Sequence, residues 1–334
     1  MATEPKTLQD AILYFANPEN CIAYLATRRW KDGKAVCPTC GSTDVAFLHS
    51  RNLWQCKTRH PKAQFSIKVG TIFEDSPIGL DKWLLAMWML ANCKNGVSSY
   101  EIHRATGISQ KSAWFVLQRI RLALQDDLTG GMLGGEIEVD ETFIGGKARN
   151  MHKDRKRRMQ LSAGRTAGKT AVLGILEREA AGKRKRIRTS VIGDRKAATI
   201  KPEVIAHVEQ GATIYSDDFA YHWRMDDTYV HDVVNHLEAY VKGNVHTNGL
   251  ENFWSLLKRS INGSYVSVEP FHLFRYVDEQ AFRFNNRKDA DGEPLTDSDR
   301  FDLAVRQIVG RRLTWIDLTG KDGKKPAASP EATA

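Results

Sequence analysis

The sequence predicts an α/β protein: a mixed five-stranded sheet with helices, preceded by a small cysteine-bearing unit and a group of helices. Three observations carry that expectation. Five strand-like runs follow residue 134, at 135–146, 170–176, 187–192, 212–216 and 229–234, with a helix-patterned stretch at 197–209 between the third and fourth. Upstream stands Cys37-Pro38-Thr39-Cys40-Gly41, with fifteen residues between Cys40 and Cys56. Between these regions, apolar residues recur at helical spacing and are punctuated by capping signals.

At 334 residues the chain has room for two or three domains. Lys and Arg outnumber Asp and Glu by 49 to 40, a formal net charge of +9, which favours a polyanionic partner. Residues 1–6 are polar and open no signal-peptide pattern, and the apolar run 83–91 is too short to span a bilayer. The expectation is a soluble, cytoplasmic protein with no membrane partner.

Residues 1–34 form an N-terminal helical segment, in which Asn17-Pro18 divides two short helices. Residues 35–78 follow as a metal-binding ribbon. Five cysteines (Cys21, Cys37, Cys40, Cys56 and Cys93) are an odd number, three of them within twenty residues, which argues against a secreted disulfide framework. Cys37 and Cys40 offer two thiolates from one turn, Gly41 lets that turn curl, and the fifteen-residue gap fits a hairpin out and back. His60, four residues after Cys56, is the natural fourth ligand for one structural Zn2+. The alternative is a CxxC redox pair or unrelated core thiols. Cys21 and Cys93 fit no ligand spacing and read as buried thiols. A strand is expected over 64–69.

Residues 79–129 read as a helix-turn-helix. Ser98 and Glu101 form a capping box, Gly107 ends the short helix, and Ser109 caps the next. Gln110, Lys111 and Ser112 would then head a recognition helix that contacts DNA. A plain three-helix packing unit would leave the same pattern.

The stretch 130–290 carries the carboxylates. Asp140 is expected at a strand end, with Glu136 and Glu138 as surface or salt-bridge residues and Glu141 on the other face. Asp217 closes a second apolar strand, with Asp218 beside it. Glu251 and Lys258 lie two turns apart on one face of a helix whose apolar stripe is Leu250, Phe253, Trp254, Leu257 and Ile261. A surface helix with ordinary charges is the plainer account of that segment. Basic runs at 147–169 (nine Lys or Arg against Asp154) and 183–186 would meet phosphates if DNA lies near. Residues 291–318 form a C-terminal helical segment, and 319–334 a disordered tail.

The strand and helix order resembles that of a ribonuclease H-like domain. Asp140, Asp217 and Glu251, with 33 residues between the last two and Lys258 seven after the Glu, resemble the DDE motif of transposases and retroviral integrases. Arg29-Trp30, Cys37-Pro-Thr-Cys40-Gly41, Gly70-Thr71-Ile72-Phe73-Glu74, Val139-Asp140-Glu141-Thr142 and Asn248…Glu251…Trp254…Lys258-Arg259 make the chain similar to bacterial insertion-sequence transposases (ISXO-type) that begin with a zinc ribbon. His60 stands where many members have Cys, and Glu251 where some have Asn. The resemblance implies metal-dependent DNA cleavage and strand transfer, with two Mg2+ (or Mn2+) ions held by Asp140, Asp217 and Glu251 and phosphates held by Lys258 and Arg259. It also implies double-stranded DNA partners, the terminal inverted repeats and the target, and a homodimer or higher oligomer in the synaptic complex. The rivals are a non-catalytic DNA-binding regulator and a ribonuclease H-like nuclease that does not join ends.

Overall fold

A computed structural model describes residues 3–125, 131–146, 168–180, 184–217, 229–234 and 246–320. In chain order the helices are α1 (Leu8–Phe15), α2 (Pro18–Arg29), α3 (Leu80–Asn92), α4 (Ser99–Thr106), α5 (Gln110–Ala123), α6 (Ala197–His207), α7 (Asn248–Ser260), α8 (Leu273–Asn285), α9 (Asp297–Arg306) and α10 (Trp315–Thr319). The strands are β1 (Val45–Leu48), β2 (Leu53–Cys56), β3 (Gln64–Phe65), β4 (Glu136–Ile144), β5 (Thr170–Glu177), β6 (Arg186–Ile192), β7 (Thr213–Asp217) and β8 (Val230–Val234). They fall into two compact units, Met1–Gln125 with Leu295–Ala334, and Asp126–Pro294.

In the first unit, Asn17 caps α2 by accepting from the Glu19 amide at 2.8 Å, and Pro18 occupies the first turn, where a missing N–H is harmless. The ribbon is an antiparallel sheet in the order β1-β2-β3, with Val45 opposite Cys56 and Trp54 opposite Phe65. β3 stops after two residues instead of running over 64–69. The Arg29 guanidinium donates to the carbonyls of Ile67 and Val69 at 2.6 and 2.5 Å, and Gly70 turns the chain at φ 73°. Carbonyls taken by a side chain are lost to a strand ladder.

The Ser98–Glu101 capping box forms, with Glu101 Oε2 accepting from the Ser98 amide at 2.6 Å, and Gly107 ends α4 at φ 71°. The C-terminal helices pack into this same unit. Phe301 of α9 lies 5.7, 5.6 and 4.9 Å, ring centre to ring centre, from Phe15, Tyr24 and Trp88. The Ile72 amide donates to Ile308 O and the Gly310 amide to Gly70 O, both at 3.0 Å. The Gly70–Glu74 block is therefore a seam that receives the returning chain.

The second unit is a five-stranded mixed sheet in the order β6-β5-β4-β7-β8. β4 is central, antiparallel to β5 and parallel to β7; β5–β6 is antiparallel and β7–β8 parallel. One face packs Ile137, Val139, Leu173 and Ile175 against Ile200 and Val204 of α6. The other packs Ile144, Val172 and Leu176 against α7 and α8 through Leu250, Phe253, Trp254, Leu257 and Val277. That alternation is the strand period of two, with an apolar set for each face. α6 runs through Pro202 without a break.

Asp140 is not at a strand end. β4 continues to Ile144, because β5 pairs with it as far as Ile144 opposite Thr170. Most of the first basic run (147–167), Lys183, Asp218 and residues 321–334 lie outside the described residues, as do the expectations placed on them. Among the described residues, no helix is long and apolar enough to cross a membrane.

Candidate functional site

The ribbon draws four side chains together. The ligating atoms of Cys37, Cys40, Cys56 and His60 all lie within 4.8 Å of one another. Cys37 Sγ is 3.4 Å from His60 Nε2, and Cys40 Sγ is 3.6 Å from Cys56 Sγ. A tetrahedron with zinc bonds of about 2.0–2.3 Å puts neighbouring ligand atoms roughly 3.5 Å apart, so the cluster has the size of a zinc site. The knuckle is built by backbone bonds, Gly41 N to Cys37 O and Cys37 N to Ser42 O, both 2.9 Å, with Gly41 at φ 73°. Burial works against ionisation of Cys37, yet the backbone N–H groups of Cys40 and Thr39 bring its pKa down to about 6. His60 Nδ1 lies 2.6 Å from the Pro61 carbonyl, a contact that fixes the proton there and turns Nε2 toward the thiols. Cys21 is buried with its thiol on Phe15 O at 3.1 Å; Cys93, read as a buried thiol, is only half-buried because it caps the exposed end of α3.

At the head of α5, Gln110 donates to Ser99 Oγ at 2.8 Å, and Ser112 Oγ accepts from Ser109 Oγ at 2.9 Å. Lys111 is exposed, with its ammonium 4.7 Å above the Trp315 ring. Two of these three side chains are thus half-buried and locally bonded, while Lys111 faces outward.

On the sheet, Asp140 sits where the parallel ladder runs out. Val139 pairs with Ser216, and β7 ends one residue later at Asp217, so backbone register sets Asp217 beside Asp140. Asp140 Oδ1 accepts from the Glu141 amide at 2.8 Å, and Oδ2 accepts from the indole N–H of Trp254, also at 2.8 Å. Trp254 is one turn after Glu251 on α7, so this bond anchors the helix of Glu251 to the strand of Asp140. Glu251, Lys258 and Arg259 are exposed, and none has a side-chain partner among the described residues. Glu141 lies across the sheet, 3.5 Å from Arg195.

Two glycines make this packing possible. Gly174 is opposite Asp140 on β5, and a Cβ there would come within 2.7 Å of both Leu250 and Trp254. A Cβ on Gly249 would meet Glu138 Oε2 at 2.8 Å. A glycine inside an apolar strand is the sequence signal of such a close approach, and a tryptophan whose N–H needs a partner is another. Both were in view in the sequence; Trp254 reads there only as part of the apolar stripe.

Of the two expectations for Glu138, surface or salt bridge, the structure shows the salt bridge, and a buried one. Glu138 is 1% exposed, accepting from the Leu250 amide and from Arg178 Nε, both at 2.9 Å. Arg178 also donates to the His246 carbonyl at 2.5 Å and pairs with exposed Glu136 at 3.2 Å. The even spacing of 136, 138 and 140 puts all three on one face, and that face is covered by α7. A buried carboxylate on the first amides of a helix is favourable in both charge and hydrogen bonding.

A thiol–imidazole ribbon in one unit and a mixed sheet flanked by helices in the other define a broad class, α/β proteins with a zinc-ribbon-like region. Known proteins narrow it. Residues 132–285 match the family of the ISXO2-like transposase domain, and residues 16–58 match the transposase zinc-ribbon domain. The chain is 27% identical over 258 residues, 73% of its length and 83% of the relative's, to an uncharacterized protein in transposable element ISH50 of Halobacterium salinarum. No solved structure matches it. The chain thus carries an ISXO2-like transposase domain preceded by a transposase zinc ribbon.

Proposed function

We propose that the protein binds the terminal inverted repeats of an insertion sequence, cuts DNA there and joins the freed ends to target DNA. The observation that carries this reading is the bond from Trp254 to Asp140, which ties the helix of Glu251 to the central strand at the point where Asp217 ends its neighbour. The sheet order, three antiparallel strands followed by two parallel ones, supports a ribonuclease H-like scaffold.

Asp140, Asp217 and Glu251 are an all-oxygen donor set, which suits a hard divalent cation. When bound, two Mg2+ (or Mn2+) ions supply activation of water, then of a DNA 3′-hydroxyl, for in-line displacement at a phosphodiester. The protein's part is to hold those carboxylates rigidly. Trp254 fixes one oxygen of Asp140, and Glu138 fixes the first turn of α7. Lys258 and Arg259, exposed on that helix, hold DNA phosphates and the charge that develops on them. The ribbon, with one structural zinc on Cys37, Cys40, Cys56 and His60, and the helix-turn-helix formed by α4 and α5 bind the DNA ends, with the synaptic complex built from two or more copies. Gln110, Lys111 and Ser112 meet DNA in that arrangement, Lys111 through its outward ammonium.

The test is a joining assay with labelled element ends, target DNA and Mg2+ or Mn2+. Joined product, abolished by chelation, is expected. Nicked ends that are never joined would reduce the protein to a nuclease, and end binding without metal-dependent cutting would make it a regulator.

A further inference from the structure

We infer that a cleft of about 340 Å3 alongside the first turns of α7 is a pocket for one unstacked nucleotide of a DNA strand. Its lining includes Lys185, Arg287, Asn248, Asn252 and Phe284. The volume is at the small end of the range for small-molecule sites, enough for a single nucleotide rather than a base-paired step.

The charge on its walls points to an anion. Two acids line the cleft, and both are neutralised: Glu138 by Arg178 at 2.9 Å and Glu179 by Lys288 at 2.6 Å. Lys185 and Arg287 have no carboxylate within ion-pair reach among the described residues. That leaves Lys185, which acts on Glu179 only through space, and Arg287 facing one cavity without an ion-pair partner among the described residues, a natural seat for a phosphate.

The remaining groups suit the nucleoside. Asn248 and Asn252 are four residues apart on one helix face, exposed, and without side-chain hydrogen bonds among the described residues. An amide offers both a donor and an acceptor, the combination that reads a base edge. The Arg287 guanidinium lies 4.7 Å from the centre of the Phe284 ring, so a flat cation is held over an apolar floor, a surface on which an unpaired base stacks. Glu251 is flanked by the two asparagines, so a nucleotide here would sit beside the strand being cut. The identity of the polymer as DNA rests on the transposase reading; the chemistry of the pocket does not.

The experiment is saturation-transfer NMR on the full chain with dAMP and dTMP as probes, deoxyadenosine as the phosphate-free arm and inorganic phosphate as competitor. The base protons of both nucleotides should receive saturation, and deoxyadenosine should bind about tenfold more weakly. The double substitution Lys185→Ala with Arg287→Ala should weaken dAMP by about tenfold or more, and Asn252→Ala should reduce the signal at the base protons. Absence of saturation on the bases, undiminished binding by the double variant, or phosphate competing as well as dAMP would each overturn the proposal. No cutting is needed for this measurement. Nucleotide binding without end joining would indict the transposase reading alone, and joining without nucleotide binding would indict the pocket alone.

Discussion

Asp140 depends on Trp254 and on Gly174, distant in sequence but opposite it on the neighbouring strand. The indole N–H holds one carboxylate oxygen, and the indole itself fits only because Gly174 has no side chain. Trp254→Phe keeps an aromatic ring in the stripe but loses the N–H. A charge-assisted hydrogen bond is worth about 1.5–3 kcal/mol, so thermal unfolding should show a loss of that order. Cleavage should fall more than tenfold while binding of DNA ends is unchanged. Equal loss of binding and cleavage would mean that Trp254 merely packs. At this scale the sequence was informative about which residue types matter and silent about two of their partners. Asp140, Asp217 and Glu251 stand out as acids in strand and helix patterns. Glu138 is indistinguishable by type from Glu136, and only the cover of α7 makes one a buried cap and the other an exposed ion pair.

Helix α7 is the element that organises the second unit. Its first turn is held by Glu138 through the Leu250 amide, and its middle by Trp254 on Asp140. Glu138→Leu would leave Arg178 with only the exposed Glu136 and the Leu250 amide without its acceptor, an effect of about 3 kcal/mol, the low end for a broken buried pair. Glu138→Gln, which keeps an acceptor for the Leu250 amide, should cost distinctly less. Hydrogen exchange across residues 248–260 should rise strongly in the first variant and modestly in the second. Equal protection in both would show that Glu138 does not hold the helix. Elements were the most legible level of the sequence: the strands, the capping box and the apolar stripe of α7 all follow from spacing and caps. The failures were local and have a common cause. β3 is short because Arg29 takes its carbonyls, and β4 runs past Asp140 because β5 continues to pair with it. Neither a distant side chain nor a partner strand is visible in a window of ten residues.

At the scale of the molecule, the chain passes from the first unit to the second and back. Phe301, far along the sequence, completes an aromatic cluster with Phe15, Tyr24 and Trp88. Phe301→Ala should cost about 3–5 kcal/mol and loosen residues of the ribbon-bearing unit while leaving the sheet protected in hydrogen exchange. A uniform loss across both units would contradict their independence. The helical pattern of the C-terminal segment was readable in the sequence, but its return to the N-terminal helices was not, because periodicity reports faces and not partners.

If Asp140 and Glu251 act in cutting DNA rather than in folding or in binding it, the decisive measurement is cleavage and binding of the same labelled element ends by Asp140→Ala and by Glu251→Ala in Mg2+. Cleavage should vanish in both variants with end binding intact; near-normal cutting by either one would contradict that role.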